Sequence, residues 1–130
     1  MLDFCRTPGH GGDMSSNENS TRHAAETYVA SWRDKDFTRF RTVLADDVTF
    51  SGPLAQLSGI DDVAKGMEGL GQITTDVVVR RMVVDGADVI TWFDLYTSIA
   101  DPTPVANWSH VEDGKITRIQ VTFDPRGLVG

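Results

Sequence analysis

The spacing of apolar residues changes once along this chain, from helical repeats to strand alternation, and that switch limits the folds open to it. Ala25, Tyr28, Val29 and Trp32 fall at i, i+3, i+4 and i+7, one stripe of a helix that Ser20 is placed to cap. Asp36 caps a second, shorter helix with Phe37, Phe40 and Leu44 on its buried side, ended by Asp46-Asp47. Residues 48–50 read as a short strand broken by Gly52-Pro53. Ser58 then caps a third helix with Ile60, Val63, Ala64, Met67 and Leu70 on one face, and Gly69 and Gly71 weaken its end. The remainder is β. Segments 77–84 and 89–96 flank the hairpin signal Asp85-Gly86, and Asp101-Pro102-Thr103-Pro104 marks a loop. Segments 105–111 and 116–123 flank Glu112-Asp113-Gly114, where a three-residue loop with Gly114 left-handed is expected. The order α-α-β-α-β-β-β-β predicts an α+β domain, an antiparallel sheet with helices on one face.

A chain of 130 residues makes one domain with a real core. Its net charge of −7 argues against nucleic acid and against an anionic membrane surface, both of which demand a basic footprint. Cys5 is the only cysteine, which excludes an intrachain disulfide and a cysteine-based zinc site. The start has neither a basic n-region nor an apolar h-region, so a cytoplasmic protein is expected. Residues 1–18, rich in Gly, Ser and Asn, read as a disordered arm ahead of a domain over 19–130. His10 and Asp13 in that arm are too few to make a metal site. The acidic pairs Asp46-Asp47 and Asp61-Asp62 read as turn and capping residues, so no metal is expected.

Four short segments carry a family resemblance: Tyr28-Val29-Ala30, Ala45-Asp46-Asp47-Val48-Thr49, Val111-Glu112-Asp113-Gly114-Lys115-Ile116 and Phe123-Asp124-Pro125. With the order of elements, they make residues 22–126 resemble the nuclear transport factor 2-like superfamily, in particular its SnoaL-like branch. The resemblance implies a sheet curled around the three helices into a cone, a pocket inside, and often a dimer contact on the outer sheet face. It implies no cofactor. The superfamily holds ketosteroid isomerases, limonene-type epoxide hydrolases, polyketide cyclases and members with no chemistry, so the fold does not settle function.

Against the isomerase pattern, Tyr28 matches the tyrosine donor and Asn107 falls where a carboxylic acid donor belongs, but the base position is Gly52. Against the epoxide hydrolase pattern, Asp94 matches the first aspartate, while Trp92 stands in the arginine position and Val121 in that of the second aspartate. Both catalytic sets are therefore incomplete. A lone acid in an apolar pocket, as in polyketide cyclases, leaves Asp94 as candidate base or acid, with Tyr28 and Asn107 polarising a carbonyl or hydroxyl. The plainer reading of Asp94 is a partly exposed strand residue, or one in an ion pair with Arg81.

Strand parity decides which side chains reach the pocket. In the last hairpin Asn107, Ser109 and Val111 share the more apolar face with Thr117, Ile119, Val121 and Phe123, which should face the helices. Trp108 and His110 then point outward, and a homodimer through that outer face is expected. In segment 89–96 the residues leave parity open between Val89, Thr91, Phe93, Leu95 and Ile90, Trp92, Asp94, Tyr96. The resemblance favours the second set inside. The expected ligand contacts are then Trp32, Arg81, Trp92, Tyr96, Ser109, Val121 and Phe123. The expected activity is binding of a small, mostly apolar, oxygenated ligand, with or without acid–base catalysis. The rival is a non-catalytic dimeric interaction or ligand-binding module.

Overall fold

The computed structural model describes residues 16–129; the expected arm, with Cys5, His10 and Asp13, lies outside the described residues up to position 15. The first helix, α1 (Ser16–Arg33), starts four residues before the expected cap at Ser20 and takes in positions 16–18. Its first turns have a tertiary hold: Glu18 accepts from the backbone N–H of Gly86 at 2.9 Å, and the Thr21 hydroxyl lies 2.9 Å from the Gly86 carbonyl. The stripe Ala25, Tyr28, Val29, Trp32 is buried as the spacing requires.

The short α2 (Phe37–Arg41) is capped by Asp36, whose side chain accepts from the Arg39 N–H at 3.1 Å. It ends before Leu44 and Asp46-Asp47, which belong instead to β1 (Leu44–Ser51). A turn at Gly52-Pro53 leads into β2 (Gln56–Ser58), a strand too short to stand out in sequence, paired with β1 through Phe50 and Leu57. The third helix, α3 (Ile60–Ile73), is capped by Gly59 at φ 91° with no side-chain bond, so Ser58 is not its cap. Gly71 has a packing role at the end of this helix. A Cβ there would lie 2.9 Å from the ring of Phe37, and its absence lets α2 seat against α3.

Four long strands follow: β3 (Thr74–Asp85), β4 (Asp88–Thr97), β5 (Thr103–Glu112) and β6 (Lys115–Thr122), with a terminal turn of helix, α4 (Arg126–Val129). The strand order is β2-β1-β6-β5-β4-β3. The fold is α+β, with helices against an open, curved six-stranded sheet. One detail departs from expectation: the sheet is mixed, because β1 runs parallel to β6. β5 also begins inside the expected loop, with Pro104 opposite Asp94.

Beyond its bulge the last hairpin reaches its expected parity by a different route, while beside the turn Ile116 rather than Thr117 lies opposite Val111 and is buried. Glu112 pairs with Lys115, so the turn has two residues, Asp113 and Gly114, at φ 54° and 77°, the left-handed pair of a tight hairpin turn. The register then shifts between His110 and Val111. This bulge absorbs one residue and returns Asn107 opposite Val121 and Ser109 opposite Ile119, on the helix side.

Segment 89–96 carries the main correction. Val89, Thr91, Phe93 and Leu95 are each less than 5% exposed, whereas Ile90 and Trp92 are 48% and 47% exposed. The reason is register. β4 pairs with β5 through Thr91–Asn107 and Phe93–Val105, so the face that Asn107 turns inward carries these partners with it. Trp92, Asp94 and Tyr96 stand on the opposite face. Arg81 does pair across from Trp92, as expected of the hairpin turn, but on the outside. Phe93→Ala should therefore lower stability by about 3–5 kcal/mol in urea unfolding, the range for emptying a buried aromatic site. Asp94→Ala should leave the midpoint almost unchanged; a reversed ranking would mean the strand faces the other way.

Candidate functional site

The inner face of the sheet and the helices enclose a cavity of about 180 Å³. Its floor is aromatic. Trp32 meets Phe93 edge to face with ring centres 5.5 Å apart, and Tyr28 lies 6.3 Å from Trp32 and 5.0 Å from Phe40. The Trp32 indole N–H donates to the Thr74 hydroxyl at 3.3 Å, and that hydroxyl donates on to the Leu70 carbonyl at 2.8 Å, which pins the ring to the end of α3. Met67, Leu70, Leu95, Val105, Val121 and Phe123 make up much of the wall. Leu54, 49% exposed, and the half-buried Leu128 of α4 stand at the outer end.

The polar content of this cavity is small and organised. The buried amide of Asn107 donates through Nδ2 to the Tyr28 hydroxyl oxygen at 3.3 Å, and the Ser109 hydroxyl donates to Asn107 Oδ1 at 3.0 Å. Tyr28 and Asn107 line the cavity; Ser109 sits behind Asn107 and does not. Burial pushes the Tyr28 phenol up to about 12, against the smaller opposing effect of the Asn107 hydrogen bond. The phenol is thus a proton-bearing donor throughout the physiological range.

Of the residues expected at the site, Tyr28, Trp32, Asn107, Val121 and Phe123 line the cavity. Asp94, Trp92, Tyr96 and Arg81 do not. Asp94 is bound by Arg80 rather than Arg81, with Nε at 2.9 Å and Nη2 at 2.6 Å, on the outer face. Arg81 turns its guanidinium to the Arg80 carbonyl at 2.8 Å. Position 52 is closed to a side chain: a Cβ on Gly52 would lie 2.5 Å from Val121 Cγ2. Gly52 and Val121, two positions where the resemblance implied carboxylates, thus pack against each other. The sequence reading weighed Phe93 and Leu95 and set them aside for the other face of segment 89–96, and it missed Val105, which the register places opposite Phe93. It also missed Leu54, Ala55 and Leu57, contributed by a hairpin whose second strand is only three residues long.

The outer face has its own cluster. His110 lies between two carboxylates, Nδ1 2.8 Å from Asp88 and Nε2 3.2 Å from Glu112. Asp88 also accepts from the Trp108 indole at 2.9 Å, and the Arg118 guanidinium sits 5.5 Å over the Trp108 ring. Partial burial pushes the Asp88 carboxyl up, but the hydrogen bonds from His110 and Trp108 outweigh it and hold the group below its ordinary value. Among the described residues no cluster of His, Cys, Asp or Glu is arranged to hold a metal, and no helix is long and apolar enough to cross a membrane.

A curved sheet packed with helices over an apolar cavity defines a class of small cone-shaped α+β domains. Within that class the chain belongs to the SnoaL-like domain family, which matches residues 25–119. A nuclear transport factor 2-like protein of unknown function from Cytophaga hutchinsonii shares the structure with a TM-score of 0.76 at 26% identity, over 85% of this chain and 95% of that one. An LEH-like epoxide hydrolase from M. tuberculosis superposes with a TM-score of 0.72 at 23% identity, over 86% and 94% of the two chains. A de novo designed protein with a curved β-sheet does so with a TM-score of 0.76 at 24% identity, over 87% and 90%. The last two likenesses concern the fold alone. No curated protein matches the chain in sequence.

The Tyr28 shift has a sign that can be checked. A phenol whose value rises from 10.0 unfolded to about 12 folded gives stability that is complete below pH 10 and lost as pH rises towards 12. Urea unfolding should show a loss on the order of 2–3 kcal/mol across that window. The slope should be absent in Tyr28→Phe. The chain has two tyrosines, Tyr28 and Tyr96, so the difference in tyrosinate absorbance between wild type and variant isolates Tyr28.

Proposed function

We propose that the protein binds a small, mostly apolar, oxygen-bearing molecule in the cavity and performs no acid–base chemistry on it. The observation that carries this reading is the make-up of the lining: among the described residues it holds no Asp, Glu, His, Lys, Arg or Cys. Isomerase, cyclase and hydrolase chemistry of the cofactor-free kind needs a group that takes a proton near neutral pH. Asp94 was the sequence candidate, and it faces outward against Arg80. Tyr28 gives a hydrogen bond but holds its own proton too tightly to serve as a base. What is left suits recognition: an apolar enclosure with one convergent polar point at Tyr28 and Asn107. A dry apolar cavity of about 150 Å³ holds a benzene ring, so the 180 Å³ here encloses about seven non-hydrogen atoms, and its open outer end leaves room for a few more.

Native mass spectrometry of the purified chain should show a bound small organic molecule. Ala55→Phe, which fills the outer end of the cavity, should remove it while the circular dichroism spectrum stays unchanged. A guest retained at full occupancy in that variant would place binding elsewhere and end this reading.

We further propose a homodimer through the outer sheet face. Val83, Ile90, Trp92 and Trp108 are 60%, 48%, 47% and 41% exposed, and register makes them neighbours: Val83 lies across from Ile90, and Ile90 across from Trp108. A patch of this kind marks an association surface. Both charge signs flank it, with Arg80, Arg81 and Arg118 beside Asp88, Asp94 and Glu112 on the same face. A two-fold contact requires that self-complementarity. Trp92→Glu should convert a dimer to a monomer in sedimentation velocity with the cavity's guest retained. A wild-type chain that sediments as a monomer at high micromolar concentration would dismiss the proposal.

A further inference from the structure

We infer that the cavity selects guests whose oxygen only accepts hydrogen bonds, such as ketones, ethers or epoxides, over alcohols of the same skeleton, and that Ser109 sets this preference without touching the guest. The inference rests on the ligand-binding reading above and adds the chemical class of the guest and a positioning residue.

Three buried polar side chains form a chain of hydrogen bonds with a direction. Ser109 Oγ–H donates to Asn107 Oδ1 at 3.0 Å, and Asn107 Nδ2–H donates to the Tyr28 oxygen at 3.3 Å. Ser109, Asn107 and Tyr28 are 3%, 4% and 3% exposed, so water does not take the place of these partners. The Ser109 hydroxyl has a consequence two residues away. With that hydroxyl donating to Asn107 Oδ1, the amide has its N–H side towards Tyr28. Tyr28 then receives a hydrogen bond on its oxygen, and among the described residues its own O–H meets no acceptor. That proton is the group left for a guest.

The strongest acceptor in the set, the Asn107 carbonyl oxygen, is held towards Ser109, which is not part of the cavity wall. Trp32 offers nothing further, because its N–H is committed to Thr74. A ketone oxygen beside Tyr28 completes the chain Ser109→Asn107→Tyr28→guest. An alcohol can accept the same bond, but its own hydroxyl proton is then buried against apolar walls. An unsatisfied buried donor of this kind weakens binding by about tenfold or more.

Calorimetric titration of the full chain with 1-indanone, 1-indanol and indane tests this, the three sharing one skeleton of roughly the size the cavity admits. The expected order is indanone tighter than indanol by about tenfold or more. In Ser109→Ala the freed Asn107 carbonyl can turn to the guest, and the ketone preference should shrink to within about threefold, a small part of one hydrogen bond. Indane affinity should not change, which separates loss of the hydrogen-bond direction from damage to the cavity. Indanol binding as tightly as indanone in the wild type would overturn the inference, since it would mean that the amide presents its oxygen to Tyr28. A ketone preference untouched by Ser109→Ala would remove Ser109 from its role. Because the wild-type ratio is decisive by itself, a variant that fails to fold does not rescue the idea. If none of the three binds, indane included, the ligand-binding reading beneath falls as well, whereas equal binding of ketone and alcohol overturns the selectivity alone.

Discussion

The edge-to-face contact of Trp32 with Phe93 is the constraint on which the rest of this molecule depends. It places α1 over β4 and, with Tyr28 one turn earlier against Phe40, builds the aromatic floor of the cavity. Through the β4–β5 register it ties Phe93 to the same side as Val105 and Asn107. Once Phe93 is inside, alternation forces Trp92 and Asp94 out. One packing decision therefore fills the core, sets the polar point that Tyr28 and Asn107 give the cavity, and keeps Asp94 out of it.

Much of the architecture was legible because it rests on local pattern. The helical stripe through Tyr28 and Trp32, the Asp36 cap and the inward turn of Asn107 all follow from spacing and parity. What escaped is what tertiary pairing decides. The bulge beside His110 and the two-residue turn at Asp113-Gly114 compensate each other, so the parity was right although the loop was not. The orientation of β4 was decided by its pairing with β5 across the loop at 98–102, and the resemblance misled: it favoured Trp92 and Tyr96 inside, yet Phe93 fills that role. The hairpin carrying Leu54 to Leu57 was invisible because three residues of strand leave no period to read.

The comparison with a designed curved-sheet protein sharpens the separation of fold from site. A sequence 24% identical, made without ancestry, reaches the same shape, so the shape follows from sheet curvature and helix packing and carries no activity of its own. The functional content here lies in a few side chains. Ser109, Asn107 and Tyr28 form a directed polar chain through an otherwise apolar interior, and burial keeps it dry. Such a network is costly to leave half-satisfied, which makes the free Tyr28 proton a meaningful feature of the cavity.

The contact between Gly52 and Val121 bears on how such a site can change over generations. A carboxylate at position 52 cannot arrive by itself, because its Cβ would sit 2.5 Å from a branched, rotamer-restricted methyl. Position 121 must first shrink, which opens a void and costs stability before anything is gained. The order of steps is thus constrained by the packing of Val121 on Gly52. The steric contact makes a carboxylate at position 52 a two-step change rather than a single substitution.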